Sequence, residues 1–277
     1  MSWQPVNRLT QQFQSALGFV RELMLDQMGE ASSVDDMFGI LDSLTDSTAF
    51  QNLADTMAMN FTTMCNVSNE RTWRQAAKES SKGATIYDYL MAETQGHLFN
   101  KLDQRRKENA ELIRHMPRDL RRELVEYTQS EAFAGTRASD IADEIYRKAG
   151  HISRSRAKLI ARTEVSKTMT ALTEARARDV GINWYVWRTV DDARVRSSHE
   201  HMDGVFINWS DPPAPEVIIG KPSEGHYHAG NIYNCRCYPS PVLRLSAVKQ
   251  LPYTGKLKVY RGGRINRLTI EEFQNIM

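Results

Sequence analysis

Three cysteines in 277 residues are too few to staple a fold, and the odd count argues for a reducing compartment rather than a disulfide framework. Two of them, Cys235 and Cys237, are also too close along the chain to form a comfortable pair. No apolar run approaches the roughly 18 residues that span a bilayer, and the opening residues show no charged-then-apolar leader. Folding in cytosol, without a membrane partner, is the expectation. The net charge is only +2, which by itself points to no strong nucleic-acid partner. A Gly-rich phosphate loop, a Ser-His-Asp elbow and a Glu-x-x-His helix are all missing, as are internal repeats and low-complexity segments. What is present is ordinary: 41% hydrophobic and 25% charged residues, enough apolar surface for a core, in a length that admits two domains.

The first 150 residues are expected to be nearly all helix. Val6, Leu9, Phe13, Leu17, Val20, Met24 and Met28 recur at threes and fours, the spacing of an amphipathic helix with Gly29 as its stop. Ser33 offers an N-cap for a second helix. Ala49 to Cys65, Arg71 to Asn100 with a break near Lys82-Gly83, and Lys101 to Arg114 continue the pattern, and the methionines among them suit adaptable packing. Two short helices, Arg118 to Gln129 and Ala138 to Ala149, follow, the second bounded by Ser139 and Gly150.

Ser153 opens a long helix to about Val180, with Ile160, Thr163, Val165, Met169, Leu172 and Ala175 as its buried stripe. Between Arg147 and Arg178 nine Lys/Arg face only Glu164 and Glu174, a local excess of 9 − 2 = +7. Arg154, Lys158 and Arg162 lie four apart, so one helix face is a candidate contact for double-stranded DNA or an acidic protein surface; a solvated face is the plain alternative. Trp184 to Val190 and Val205 to Trp209 suit strands. A short helix over Ala193 to His201 would be stopped by Gly204, and Asp211 to Glu216 should be extended because of its prolines. After Pro241, Leu257 to Tyr260 and Arg264 to Leu268 flank a Gly262-Gly263 turn, and Thr269-Ile-Glu-Glu272 is a capping box for a terminal helix. The expected class is α+β: a helical domain at 1–150, a loop-rich α+β domain at 151–245 entered by the long helix, and a hairpin-helix tail at 246–277.

Chemistry concentrates between Trp184 and Pro241, which holds four of the seven histidines, Cys235, Cys237 and six of the nine prolines. Thiolates and imidazoles are zinc ligands, so a structural zinc is one candidate: Cys235 and Cys237, with His199 or His201 and one of His226 or His228 completing a tetrahedron, His199 and His228 being the preferred pair. A second candidate is a metal-dependent enzyme acting on nucleic acid, with His199, Glu200 and His228 for acid–base work. The third is a non-catalytic network in which Asp192, Arg194, Arg196 and Asp203, joined by Arg162 and Glu164 from the long helix and flanked by His199 and Gly204, pin loops through carboxylate–guanidinium pairs.

Ala161-Arg-Thr-Glu-Val165 on a helix, Trp187-Arg-Thr-x-x-Asp-x-Arg-Val-Arg196, Ser198-His199-x-x-Met-Asp-Gly204 and Asn234-Cys-Arg-Cys237 follow one another in an order and spacing that resembles the phage Mu protein F-like family of head morphogenesis or minor capsid proteins. The resemblance covers roughly Ser153 to Val242. It implies a structural, non-enzymatic protein of the virion, assembled in the host cytoplasm. It also implies association with the portal protein at the portal vertex, contacts with scaffold or major capsid protein, and contact with packaged DNA. The helical N-terminal half would dock through amphipathic faces.

Overall fold

The computed structural model describes residues 3–5, 7–80, 82–92, 97–129, 138–190, 192–243 and 256–277. The fold is α+β, with helices dominating up to residue 179 and a five-stranded sheet in the C-terminal part. In chain order the helices are α1 (Asn7–Gly29), α2 (Val34–Asp46), α3 (Thr48–Glu79), α4 (Gly83–Ala92), α5 (His97–Arg114), α6 (Met116–Thr128), α7 (Ala138–Asp179), α8 (Ser197–Met202), α9 (Pro215–Ile218) and α10 (Ile270–Gln274). The strands are β1 (Trp184–Arg188), β2 (Phe206–Asn208), β3 (Tyr238–Pro241), β4 (Leu257–Arg261) and β5 (Arg264–Leu268).

The chain forms two compact units whose segments interleave. One comprises residues 7–63 and 104–161, the other residues 1–6, 64–103 and 162–277. The division expected near Gly150 lies inside α7, which runs on without a stop. A helical glycine costs only about 1 kcal/mol against alanine. Buried Ala149, Ser153 and Ala157 on either side of it supply packing that outweighs the penalty. Ser139, expected as an N-cap, falls within the first turn of α7, and of its side chain nothing is described.

The first unit is a helical assembly built as the periodicity predicts. Leu9, Phe13, Leu17, Val20, Met24 and Met28 are the buried face of α1, and Phe13 stacks on Phe61 of α3 with ring centroids 3.8 Å apart. Ser33 caps α2 by accepting from the Asp36 amide at 3.1 Å. Arg114–Asp55 at 2.5 Å, Arg121–Asp42 at 3.0 Å and Arg156–Asp119 at 2.6 Å tie helices together around that core.

In the second unit the sheet order is β3-β1-β2-β4-β5, antiparallel except for the β2–β4 pair. Trp184, Tyr185, Val186 and Trp187 of β1 are all buried, because both faces of the sheet are covered. Trp184 and Val186 pack with Phe206, Leu257, Val259 and Phe273 of α10 on one side. Tyr185 and Trp187 pack with Trp209, Met202, Tyr227 and both sheet-region cysteines on the other. Such a strand reads as a continuous apolar run rather than an alternating one. The C-terminal hairpin turns through Gly262 and Gly263, both at positive φ, and joins the sheet by the register Phe206↔Val259. Thr269 and Glu272 form the capping box expected of them.

The α7 segment of this unit carries a buried polar row of which the expected stripe included Thr163 alone: Thr163, Ser166, Thr170 and Thr173 are each at most 6% exposed. The Arg176 guanidinium, fully buried below it, donates to Asn69 Oδ1 at 2.6 Å and Asn66 Oδ1 at 2.9 Å, while Asn69 also donates to Thr173 at 2.8 Å. Removing one acceptor from a buried cation leaves its desolvation uncompensated. Asn69→Ala is therefore expected to lower stability by about 1–3 kcal/mol in urea denaturation, while Asn52→Ala, on the exposed side of the same helix, should stay within about 0.5 kcal/mol.

Candidate functional site

The site is assembled by three short elements that hang from β1. β1 ends at Arg188, where the Thr189 amide donates to Asp203 Oδ1 at 2.8 Å, closing the loop that carries α8. Gly204 follows with φ +78°, so the expected helix stop is there, and its amide bonds the Trp187 carbonyl. The proline loop was expected to be extended as far as Glu216, but it forms the one-turn helix α9, with Pro215 in its first turn, where a missing N–H costs nothing. That turn aims Glu216 inward, 4% exposed. The chain then returns through Tyr227 and Ala229, and the Thr170 hydroxyl of α7 donates to the Ala229 carbonyl at 2.8 Å. Asn234, at φ +53°, receives its own anchor when its amide donates to Thr163 Oγ1 at 3.0 Å.

These turns bring His199, Cys235 and Cys237 together. All three are buried, and His199 Nδ1 lies 3.4 Å from Cys235 Sγ and 3.5 Å from Cys237 Sγ. On the opposite side of the ring, Nε2 is 3.0 Å from the Tyr227 hydroxyl. That hydroxyl donates to the Glu216 carboxylate, 2.7 and 2.8 Å from its two oxygens, and Ser198 Oγ donates to the same carboxylate at 2.9 Å. Burial and the neighbouring Glu216 push the Tyr227 phenol well up, so it stays protonated. Burial works against the Glu216 charge, but the hydrogen bonds from Tyr227, its own amide and Ser198 outweigh it and hold the carboxyl below its ordinary value. Between the two thiols, Cys235 is pulled down because it accepts from Cys237, and Cys237 is pushed up by the same contact and by burial.

His228, expected beside the cysteines, is elsewhere. Its Nδ1 lies 3.1 Å from the Tyr185 hydroxyl and its ring packs edge-on against Trp209, while the cluster of possible ligand atoms holds His199, Cys235 and Cys237 without it. Tyr227 takes the place beside His199, and its neighbour His228 packs against Tyr185 and Trp209 instead. His201 and Glu200 are on the exposed side of α8, and exposed His226 bonds the Pro212 carbonyl. The trio His199, Glu200 and His228 therefore does not converge on one point.

The carboxylate–arginine network forms with different partners. Asp192 is gripped by Arg236, a residue the sequence did not single out, and by the amide and side chain of Arg194; these bonds, Arg236 first, hold its carboxyl at about 2. Arg196 instead donates to the Tyr233 carbonyl at 3.1 Å and stands 3.8 Å from Glu224. Asp203 serves the Thr189 amide and hydroxyl. Arg162 reaches Asn234 Oδ1 at 2.9 Å, and buried Glu164 has Lys167 at 3.7 Å. Asp191 lies outside the described residues.

The basic excess along α7 is largely absorbed. Arg147 pairs with Glu144, Arg156 with Asp119 and Glu123, Arg178 with Glu174, and Arg176 is buried on Asn66 and Asn69. Arg154 and Lys158 remain exposed, one turn apart.

Comparison with known proteins meets this geometry at the segment that builds it. A family model described as phage Mu protein F like protein matches residues 126–239. A Haemophilus influenzae protein, described only as uncharacterized, is 38% identical over 109 residues, 39% of this chain and 22% of that one. The minor head protein GP7 of Bacillus phage SPP1 is 28% identical over 196 residues, 65% of this chain and 63% of that one. The chain thus spans 22% and 63% of the lengths of these two relatives. No solved structure matches it. The matched segment runs from the end of α6 to β3 and so holds α7, β1, α8, α9 and all three residues of the thiol–imidazole cluster. Residues 126–239 thus carry a domain similar to the phage Mu F-like family, and the longer similarity is to a phage minor head protein.

Proposed function

We propose that the chain is a minor head protein that enters the phage head during its morphogenesis, associates there with the portal protein at the portal vertex, and acts without catalysis. The observation that carries this is the relation to the SPP1 minor head protein, which extends over 65% of the chain and so reaches well beyond the family domain. Scaffold or major capsid protein is the further partner in assembly, in the host cytoplasm, and the virion is the final location. Arg154 and Lys158, exposed on α7, are the side chains we assign to packaged DNA or to an acidic portal surface. A non-catalytic role accords with His199, which is 2% exposed and has both ring nitrogens engaged, and with the separation of Glu200 and His228 from it.

The test is made in particles of a phage encoding the chain. Purified heads are expected to contain it in low copy, and deletion of its gene is expected to leave heads that assemble with reduced infectivity. Absence from heads at every assembly stage would refute the assignment. A double Arg154→Glu/Lys158→Glu variant should still enter heads, with a lower DNA content or yield. Incubated with plasmid DNA and divalent metals, the purified chain should produce no cleavage; cleavage that disappears in His199→Ala would instead establish the nuclease reading.

A further inference from the structure

We infer that Cys235, Cys237 and His199 form a zinc site that binds the ion through Sγ, Sγ and Nδ1 and leaves the fourth position to solvent. Three observations carry this, and none depends on where in a phage the protein acts. The first is spacing. With Zn–S of about 2.3 Å, Zn–N of about 2.0–2.1 Å and a tetrahedral angle, sulfur and nitrogen ligands stand roughly 3.6 Å apart. The two observed separations are 3.4 and 3.5 Å, and the three ligand atoms lie within 4.8 Å of one another. The two sulfur–nitrogen separations thus already match those of a tetrahedral zinc site.

The second is the tautomer. The Tyr227 hydroxyl spends its single proton on the Glu216 carboxylate, so toward His199 it can only accept. That places the imidazole proton on Nε2 and a lone pair on Nδ1, aimed at the two sulfurs. A ligating histidine ordinarily donates its other N–H to a carboxylate or a group backed by one, and the His199–Tyr227–Glu216 chain is such a support. Ser198 steadies the same carboxylate, so two adjacent residues of α8 are fixed by one acceptor.

The third is access. Among the described residues no fourth His, Cys, Asp or Glu joins the cluster, and beside it opens a cleft lined by Arg194, Val195, Arg196, Asn234 and Arg236. Solvent reaches the ion from that side. Zinc in this place joins α8 to the turn that precedes β3, two segments 36 residues apart that otherwise meet through a few side-chain bonds. Cys-x-Cys serves here because the two sulfurs converge on one side of a tight turn, where the Cys237 amide also approaches Cys235 Sγ at 3.4 Å.

The full chain, purified and dialysed against metal-free buffer, is expected to retain one zinc by elemental analysis. Cys235→Ser, Cys237→Ser and His199→Ala should each lose it, and His228→Gln should keep it. Because those three variants risk misfolding, cobalt substitution of the wild-type chain gives a second reading: intense tetrahedral visible bands with a near-ultraviolet thiolate-to-cobalt transition are expected. Added imidazole should shift the visible bands by displacing the solvent ligand. A chain that retains no metal and shows no thiolate transition overturns the site, as does metal retained by both serine variants; bands indifferent to imidazole overturn the open fourth position.

Discussion

Gly230→Ala is expected to destabilise the sheet-bearing unit by roughly 2–5 kcal/mol, a large fraction of the total stability of a typical domain. Two independent costs add. Gly230 sits at φ +85°, where an L side chain is strained. A Cβ there would also stand 2.6 Å from Thr170 Oγ1, 2.8 Å from Ser166 Oγ and 2.9 Å from the Cys237 carbonyl. The last of these is backbone and cannot rotate away. Gly204 supplies the control, because its φ is +78° and nothing lies within 4 Å of a Cβ placed on it. Gly204→Ala should show the backbone strain alone, about 1–2 kcal/mol. Urea unfolding followed by tryptophan fluorescence separates the two; equal losses would mean that the loop does not approach α7 as closely as described.

Acid should weaken the fold through His228. Burial, with the charge of Arg178 adding to it, pushes this imidazole down to about 4 from an ordinary 6.5. The folded chain thus favours the neutral ring, whereas the unfolded chain binds a proton near pH 6.5. The stabilisation is fully present above that pH and is lost as pH falls toward 4, for a total of about 3 kcal/mol. Carboxylates such as Glu216 and Asp192, held below their ordinary values, lose their contribution mainly at the lower end of the range and below it. Urea midpoints measured from pH 7 to pH 4 for the wild-type chain and for His228→Gln isolate the ring: the wild-type slope between pH 6.5 and 5 should flatten in the variant. An unchanged slope would assign that sensitivity to other groups.

The contrast between His199 and His228 shows what the sequence could and could not convey. Histidines and cysteines crowding one segment, with Ser198-His199 and Asn234-Cys235 in motif order, sufficed to locate the cluster and name three of its members. Which histidines would face the thiols depended on how the Tyr227-His228 stretch returns past β1 and on the turn made by α9, neither of which leaves a periodic signal in four or five residues. Arg236 and Glu216 escaped for a related reason: each acts across a loop closure, Arg236 on Asp192 and Glu216 on Tyr227, and spacing along the chain says nothing about such closures. The helices of the first unit were legible because the apolar residues of α1 repeat at threes and fours for six turns. Of the row Thr163, Ser166, Thr170 and Thr173, which repeats in the same way, only Thr163 fell in the expected stripe, because hydroxyl residues at that spacing pass for a solvated face unless it is known what lies against them. Here the Gly230 and Asn234 turns do, at hydrogen-bonding distance from Thr170 and Thr163.

The two outermost strands of the sheet carry a final consequence. β3 presents Pro239 and Pro241, neither of which has an N–H to offer a further strand, and β5 places exposed Arg264 and Arg267 along the opposite margin. Proline and like charge are the means by which open sheets are kept from adding strands of a second copy. Among the described residues, both outer strands thus oppose strand-to-strand addition of a second copy.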